Sequence, residues 1–137
     1  MNYTMKLALS LALVSTAISA SRSVWDGVYS KEQAVRGKTA YNAQCARCHG
    51  ETLLGGEASP PLVDEDFLAT WNGRSVGSLI ELTRTSMPSD GPGKLSRRQS
   101  ADIIAYILSA NNFPAGKSDF DADPAVLDGM LIQPKQP

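Results

Sequence analysis

Residues 41–50 read YNAQCARCHG, and the run Cys45-Ala46-Arg47-Cys48-His49 inside them decides how the rest of the chain is understood. Cys45 and Cys48 are the only cysteines and His49 is the only histidine, so all the thiol and imidazole chemistry of the 137 residues falls within five positions. A Cys-x-x-Cys-His run at the end of a helix sets two thiols side by side, ready to add across the vinyl groups of a haem, with the adjacent imidazole in reach of the iron. Three other uses of such cysteines fit less well. A thioredoxin-like redox pair belongs in a βαβ setting, and no alternating strand pattern is visible. A disulfide closing so short a loop restrains little of the unfolded chain. Zinc wants a fourth ligand beyond two cysteines and one histidine.

The segment before the motif predicts its helix. Ser30-x-x-Gln33 has capping-box spacing, and Lys31 to Gln44 is rich in good helix formers. Gly37 is the exception, and a glycine in a helix implies close approach of another backbone. Beyond the motif, Gly50 to Pro61 reads as loop, a short helix is expected from about Asp64 to before Gly73, and another from Ser75 or Gly77 to about Thr85. Met87-Pro88-Ser89-Asp90-Gly91-Pro92-Gly93 is loop, because neither helix nor central strand accommodates that proline and glycine content. Ser96-x-x-Gln99 repeats the capping box ahead of an apolar stripe, Ala101, Ile104, Ile107 and Leu108, that ends near Ala110 at Asn111 and Asn112. The fold class is all-α.

With His49 on one face of the iron, a second histidine is excluded, and methionine is the next candidate. Met1 and Met5 lie in a predicted leader, which leaves Met87 and Met130. Met87 sits in the rigid Pro/Gly loop between two helices and is assigned as the distal ligand; Met130 lies in the tail and has the commoner fate of a core filler. Axial metal ligands are therefore expected at His49 and Met87, an arrangement suited to electron transfer.

Length and composition allow one domain. Residues 1–20 carry a single cation, Lys6, ahead of an apolar run from Leu7 to Ile18 and then small residues, the pattern of a secretory signal peptide. The run is shorter than the ~20 apolar residues of a membrane-spanning helix. Cleavage after Ala20 would leave 12 basic against 14 acidic residues, net −2, with no basic cluster. That charge argues against nucleic acid or anionic lipid as partner and suits transient docking with proteins. The expected organisation is a signal peptide over 1–20, a cytochrome-like domain over 21–110 and a tail over 111–137, packed on the domain or on a partner. Trp25 and Tyr29 in the lead-in should pack inward; Phe113, Phe120 and Leu127 in the tail are either partner anchors or, preferably, part of the chain's own core.

From Lys31 to Ala110 the chain resembles the class I cytochrome c family. Gly37-x-x-x-Tyr41 on the first helix and Ile103-x-x-Tyr106 on the last match the pairs with which that family crosses its terminal helices. Pro60-Pro61-Leu62 resembles the family's Pro-x-Leu, which implies that the Pro60 carbonyl accepts the ring N–H of His49. Trp71-Asn72-Gly73-Arg74 is similar to the segment beside the haem propionates, implying roles there for the Trp71 indole and the Arg74 guanidinium. The lead-in and the Asn-rich end of the last helix resemble small cytochromes found with bacterial quinoprotein dehydrogenases. The resemblance implies a periplasmic, soluble electron shuttle bearing one covalent haem c and its iron. It implies a dehydrogenase as donor and a terminal oxidase or another cytochrome as acceptor. Two alternatives stand beside the shuttle: a haem enzyme or gas sensor whose Met87 is displaceable, and a cytochrome subunit held permanently in a dehydrogenase complex.

Overall fold

The computed structural model describes residues 21–120 and 123–134, so the leader expected at 1–20 lies outside the described residues. Helix α1 spans Lys31–Gln44, α2 Ala46–His49, α3 Asp64–Trp71, α4 Val76–Ser86, α5 Arg97–Ala110 and α6 Pro124–Asp128. Two-residue strands, β1 at Arg22–Ser23 and β2 at Met130–Leu131, pair in parallel with Arg22 opposite Met130. Strands of that length carry no periodicity, which is why the sequence gives no hint of them.

The two long helices cross where Gly37 lies. A Cβ there would fall 1.7 Å from the Asp102 carbonyl oxygen of α5 and 3.0 Å from the Tyr106 Cβ, so only glycine lets the backbones meet. One turn on, the Tyr41 and Tyr106 rings pack with centroids 5.3 Å apart. The backbone contact is thus made by Asp102 rather than by Ile103, the apolar member of the expected pair. Helix α5 is apolar on most of its circumference: Ala101, Ile103, Ile104, Ala105, Ile107 and Leu108 are all buried. That suits an element packed against both α1 and α4.

Capping follows the sequence in one helix and departs from it in another. At α5 the box closes, with Gln99 N–H donating to Ser96 Oγ at 3.1 Å and Ser96 N–H donating to Gln99 Oε1 at 3.0 Å. At α1 only half of it forms. Gln33 N–H donates to Ser30 Oγ at 2.9 Å, but Gln33 Oε1 accepts from the Phe120 N–H at 3.1 Å. Both residues are buried, and an unpaired donor away from water costs about 1–3 kcal/mol, so the tail's amide takes the glutamine. Helix α3 starts at Asp64 as expected, yet Asp64 has φ 65° and its N–H donates to Asn111 Oδ1 at 2.9 Å. The same asparagine donates to the Leu62 and Ile107 carbonyls, so it ends α5 and steadies the start of α3 together.

Lead-in and tail close over this framework. Trp25 stacks edge-on against Phe113 with centroids 4.9 Å apart, and its Nε1–H donates to the Gln133 carbonyl at 2.9 Å. Phe113, Phe120, Leu127, Met130 and Ile132 are buried in the same core as the helices. The residues considered as partner anchors are therefore covered by their own chain. Among the described residues no helix is long and apolar enough to cross a membrane.

Two outcomes follow from this packing. Gly37→Ala should cost about 3 kcal/mol through the forced separation of α1 and α5, read as a lower guanidinium midpoint of the holoprotein. Val35→Ala, two residues away and 67% exposed, should stay within about 0.5 kcal/mol. The Asp119 carboxyl is held below its ordinary pKa by the Ser30 hydroxyl and then by Arg36. A depressed carboxylate stabilises fully above its unfolded value of about 3.9 and loses the contribution as pH falls through the lower folded value. The melting advantage of wild type over Asp119→Asn should therefore be present near neutrality and vanish in acid; an advantage that grows in acid contradicts it.

A candidate haem site

Helix α1 delivers the motif. Cys45 caps it, its N–H donating to the Tyr41 carbonyl at 2.7 Å, and the chain then turns into α2, with the Cys48 and His49 amides donating to the Cys45 carbonyl at 3.1 and 3.0 Å. The sequence reading did not separate this turn from α1. Tyr41 Oη donates to the Gly50 carbonyl at 2.7 Å and so ties the exit of the motif back to α1. Further along, Gly55 N–H donates to the His49 carbonyl at 2.9 Å, and Leu62 N–H to Leu53 at 2.8 Å. The loop predicted over 50–61 is thereby folded back on the motif.

His49 is 8% exposed, and its Nδ1 lies 2.9 Å from the Pro60 carbonyl oxygen. A carbonyl only accepts, so Nδ1 is the donor in this contact and Nε2 is the ring nitrogen left available to a metal. No hydrogen bond to Nε2 is present among the described residues, the state in which an imidazole binds a metal.

Cys45, Cys48, His49 and Pro60 line a cavity of about 280 Å³. Met87 joins them there, together with Leu79, Leu82 and Thr83 of α4, Ile103 and Ile107 of α5, and Trp71 of α3. The Thr83 hydroxyl donates to the Leu79 carbonyl at 2.8 Å, so it adds little free polarity. Met130 is 1% exposed and does not line the cavity. Of the pair considered for the propionates, Trp71 is buried and lines it. Arg74 is exposed and outside the lining, its guanidinium 4.1 Å above the Trp71 ring. The sequence reading missed Leu79, Leu82 and Thr83 as cavity residues, although their spacing of three and four on one helix was a visible signal.

The donor set fits a haem. Two unbridged thiols, an imidazole and a thioether line one largely apolar pocket. The competing uses of the cysteines fit poorly. Burial, and then Cys48, push the Cys45 thiol up to about 11, whereas a redox-active pair needs a lowered pKa. Among the described residues no three His, Cys, Asp or Glu side chains group as a metal cage.

The family model described as cytochrome C oxidase, cbb3-type, subunit III matches residues 32–107. The chain is 32% identical over 110 residues to photosystem II extrinsic protein V of Nostoc punctiforme, covering 79% of this chain and 64% of that protein. It is 29% identical over 89 residues to the cbb3-type cytochrome c oxidase subunit CcoP of an Azospirillum species, covering 60% of this chain and 29% of that subunit. It thus spans just under two thirds of the photosystem relative and less than a third of the oxidase subunit. The crystal structure of the sulfane dehydrogenase SoxCD from Paracoccus pantotrophus superposes with a TM-score of 0.48 at 22% identity, covering 84% of this chain and 63% of that one. With its family model spanning more than half of the chain, from the first long helix to the last, the protein belongs to the cbb3-type cytochrome c oxidase subunit III family and is an all-α c-type cytochrome with covalently attached haem c and its iron.

Proposed function

We propose that the protein is a soluble, single-haem electron carrier of the exported space, with the haem thioether-linked to Cys45 and Cys48 and its iron held between His49 and Met87. The observation that carries this reading is that His49, its Nε2 free of hydrogen bonds among the described residues, and Met87 line one largely apolar cavity together with both cysteines. The haem supplies a one-electron couple, ferrous to ferric. The chain's own residues do the rest. The Pro60 carbonyl fixes the His49 tautomer and ring plane and raises the basicity of the ligating nitrogen. The Met87 sulfur is a soft donor that favours the ferrous state. Leu79, Ile103 and Ile107, buried on the cavity wall, would exclude water from a bound haem and leave it in surroundings that reorganise little.

With His49 and Met87 both holding the iron, no position would remain for a substrate, which favours the carrier over a haem enzyme or gas sensor. Because Phe113, Phe120 and Leu127 are buried in the chain's own core, a permanent dehydrogenase subunit anchored by the tail is the weaker reading. Trp71, with its Nε1–H unpartnered among the described residues, is the group placed to meet a propionate, and Arg74 stacked on it would add a cation nearby. Export to the periplasm rests on the leader at 1–20. Exchange with a quinoprotein dehydrogenase as donor, and with a terminal oxidase or another cytochrome as acceptor, rests on resemblance and on the oxidase after which the family is named.

A spectrum tests the ligand set. Oxidised holoprotein should show the weak near-infrared sulfur-to-iron charge-transfer band. Met87→Ala should abolish it and lower the midpoint potential by roughly 100 mV or more, a fraction of the ~0.8 V that axial ligands span. Met130→Leu should keep both. Survival of the band in Met87→Ala would overturn the assignment, and mass spectrometry showing both thiols free after expression in a host competent for haem attachment would overturn the site.

A further inference from the structure

The two donors of the cavity stand on very different supports. His49 is held by the Pro60 carbonyl and by the amide bonds of its own turn. Met87 opens a segment that runs to Leu95 before α5 is capped at Ser96. Its own N–H donates to the Thr83 carbonyl at 3.1 Å. Beyond it, residues 88–95 make one backbone-to-backbone hydrogen bond among the described residues, Gly91 N–H to the Pro88 carbonyl at 2.9 Å, and that bond is internal. Leu95, buried at the far end, anchors the return to α5. The polar contact tying the middle of the segment to the rest of the protein is the ion pair between Asp90 and Arg47. Arg47 is the second variable residue of the Cys-x-x-Cys-His run and also lines the cavity.

We propose that Arg47 and Asp90 are positioning residues for the distal ligand, their ion pair acting as a strap that sets how often Met87 leaves the iron and how readily a small neutral ligand such as carbon monoxide takes its place. This rests on the reading of Met87 as the sixth ligand. Thioether bonds at Cys45 and Cys48 would make the segment bearing Arg47 a fixed post, whereas Asp90, three residues beyond Met87, moves with the loop. Any excursion of the thioether large enough to admit another ligand carries Asp90 with it and stretches the pair. Lys94 does not substitute for Arg47. It belongs to the same loop, its side chain folded over Gly91, where an added Cβ would lie 2.4 Å from its Nζ. A cation on the loop shields Asp90 but cannot hold the loop to anything else.

The pair is exposed, 72% at Arg47 and 57% at Asp90, so the effect is modest and sensitive to salt. The measurement is rapid mixing of ferrous holoprotein with carbon monoxide, alongside the near-infrared band of the oxidised form. Arg47→Gln and Asp90→Asn should each speed carbon monoxide binding about two- to five-fold at low ionic strength. The double variant should exceed neither single one, because both remove the same contact. The exchanged pair, Arg47→Asp with Asp90→Arg, should return toward the wild-type rate. Wild type itself should quicken as salt is raised toward 1 M while Asp90→Asn does not, a comparison that does not depend on haem attachment to an altered motif. Rates unchanged in both single variants and in wild type across salt overturn the strap, as does a double variant whose effect is the product of the singles. A wild-type protein without the near-infrared band overturns the ligand reading and the strap with it; a normal band with unmoved rates removes the strap alone.

Discussion

The backbone contact between Gly37 and the Asp102 carbonyl is the constraint on which the rest of the molecule is arranged. It fixes the crossing of α1 and α5, and both sides of the cofactor cavity depend on that crossing. Cys45 lies two turns beyond Gly37 on α1, so the crossing sets where the thiols and the following imidazole stand. Ile103 and Ile107 lie within five residues of Asp102 on α5, so the same contact sets the apolar wall they meet. Tyr41 serves both purposes at once, its ring against Tyr106 at the crossing and its hydroxyl on the Gly50 carbonyl at the exit of the motif. A single missing side chain thus registers a helix pair against the two thiols and the imidazole that follows them.

Lead-in and tail complete that framework rather than extend it. The tail's Phe120 amide takes the glutamine that would otherwise finish the α1 cap, and Asp119 holds Ser30 and Arg36 at the same end of the helix. Trp25 and Phe113 pack together over the outside of the core, and β1 and β2 join the two ends of the described chain. Each contact alone is small, and two paired residues make no stable sheet by themselves. Their value lies in burying Leu127, Met130 and Ile132 against the helices. In a domain this small, whose cofactor fills space that a larger protein would fill with side chains, that extra apolar area is a substantial part of the core.

What the sequence disclosed, and what it withheld, divides by range. The Cys-x-x-Cys-His run, the limits of α1, and the box at Ser96 and Gln99 are local patterns, and local patterns can be read from neighbours along the chain. Gly37 was legible as a question, why a glycine should stand in a good helix, and the resemblance to a known fold supplied an answer that the structure sharpens to a carbonyl oxygen. The diversion of Gln33 to a residue 87 positions away and the double service of Asn111 were not legible. Each is decided by which buried amide most needs a partner once the chain is compact, a competition that exists only in three dimensions. Arg47 and Asp90 look like ordinary solvated charges in sequence, and their pairing across 43 residues depends on the loop path. Leu79, Leu82 and Thr83 fall on one face of α4 by helical spacing, a local signal that marks a wall of the cavity.

The unequal support of the two donors is the feature that joins fold to function. On the imidazole side the constraints are redundant: the turn of α2, the Tyr41 and Gly55 bonds to its exit, and the Pro60 carbonyl each restrict the same few atoms. Losing any one of them leaves the others. On the thioether side the chain runs through Pro88, Gly91, Pro92 and Gly93, stiff at some points and unrestrained at others, with one internal backbone bond and one exposed ion pair among the described residues. Segments with few buried contacts and few backbone hydrogen bonds open at lower free energy than the core around them. In such a molecule the imidazole side sets what is invariant, the attachment and orientation of the cofactor. Under the proposed ligation, the thioether side is where a change of one surface charge would alter ligand strength, and with it potential and access, without disturbing the helices that hold the rest in place.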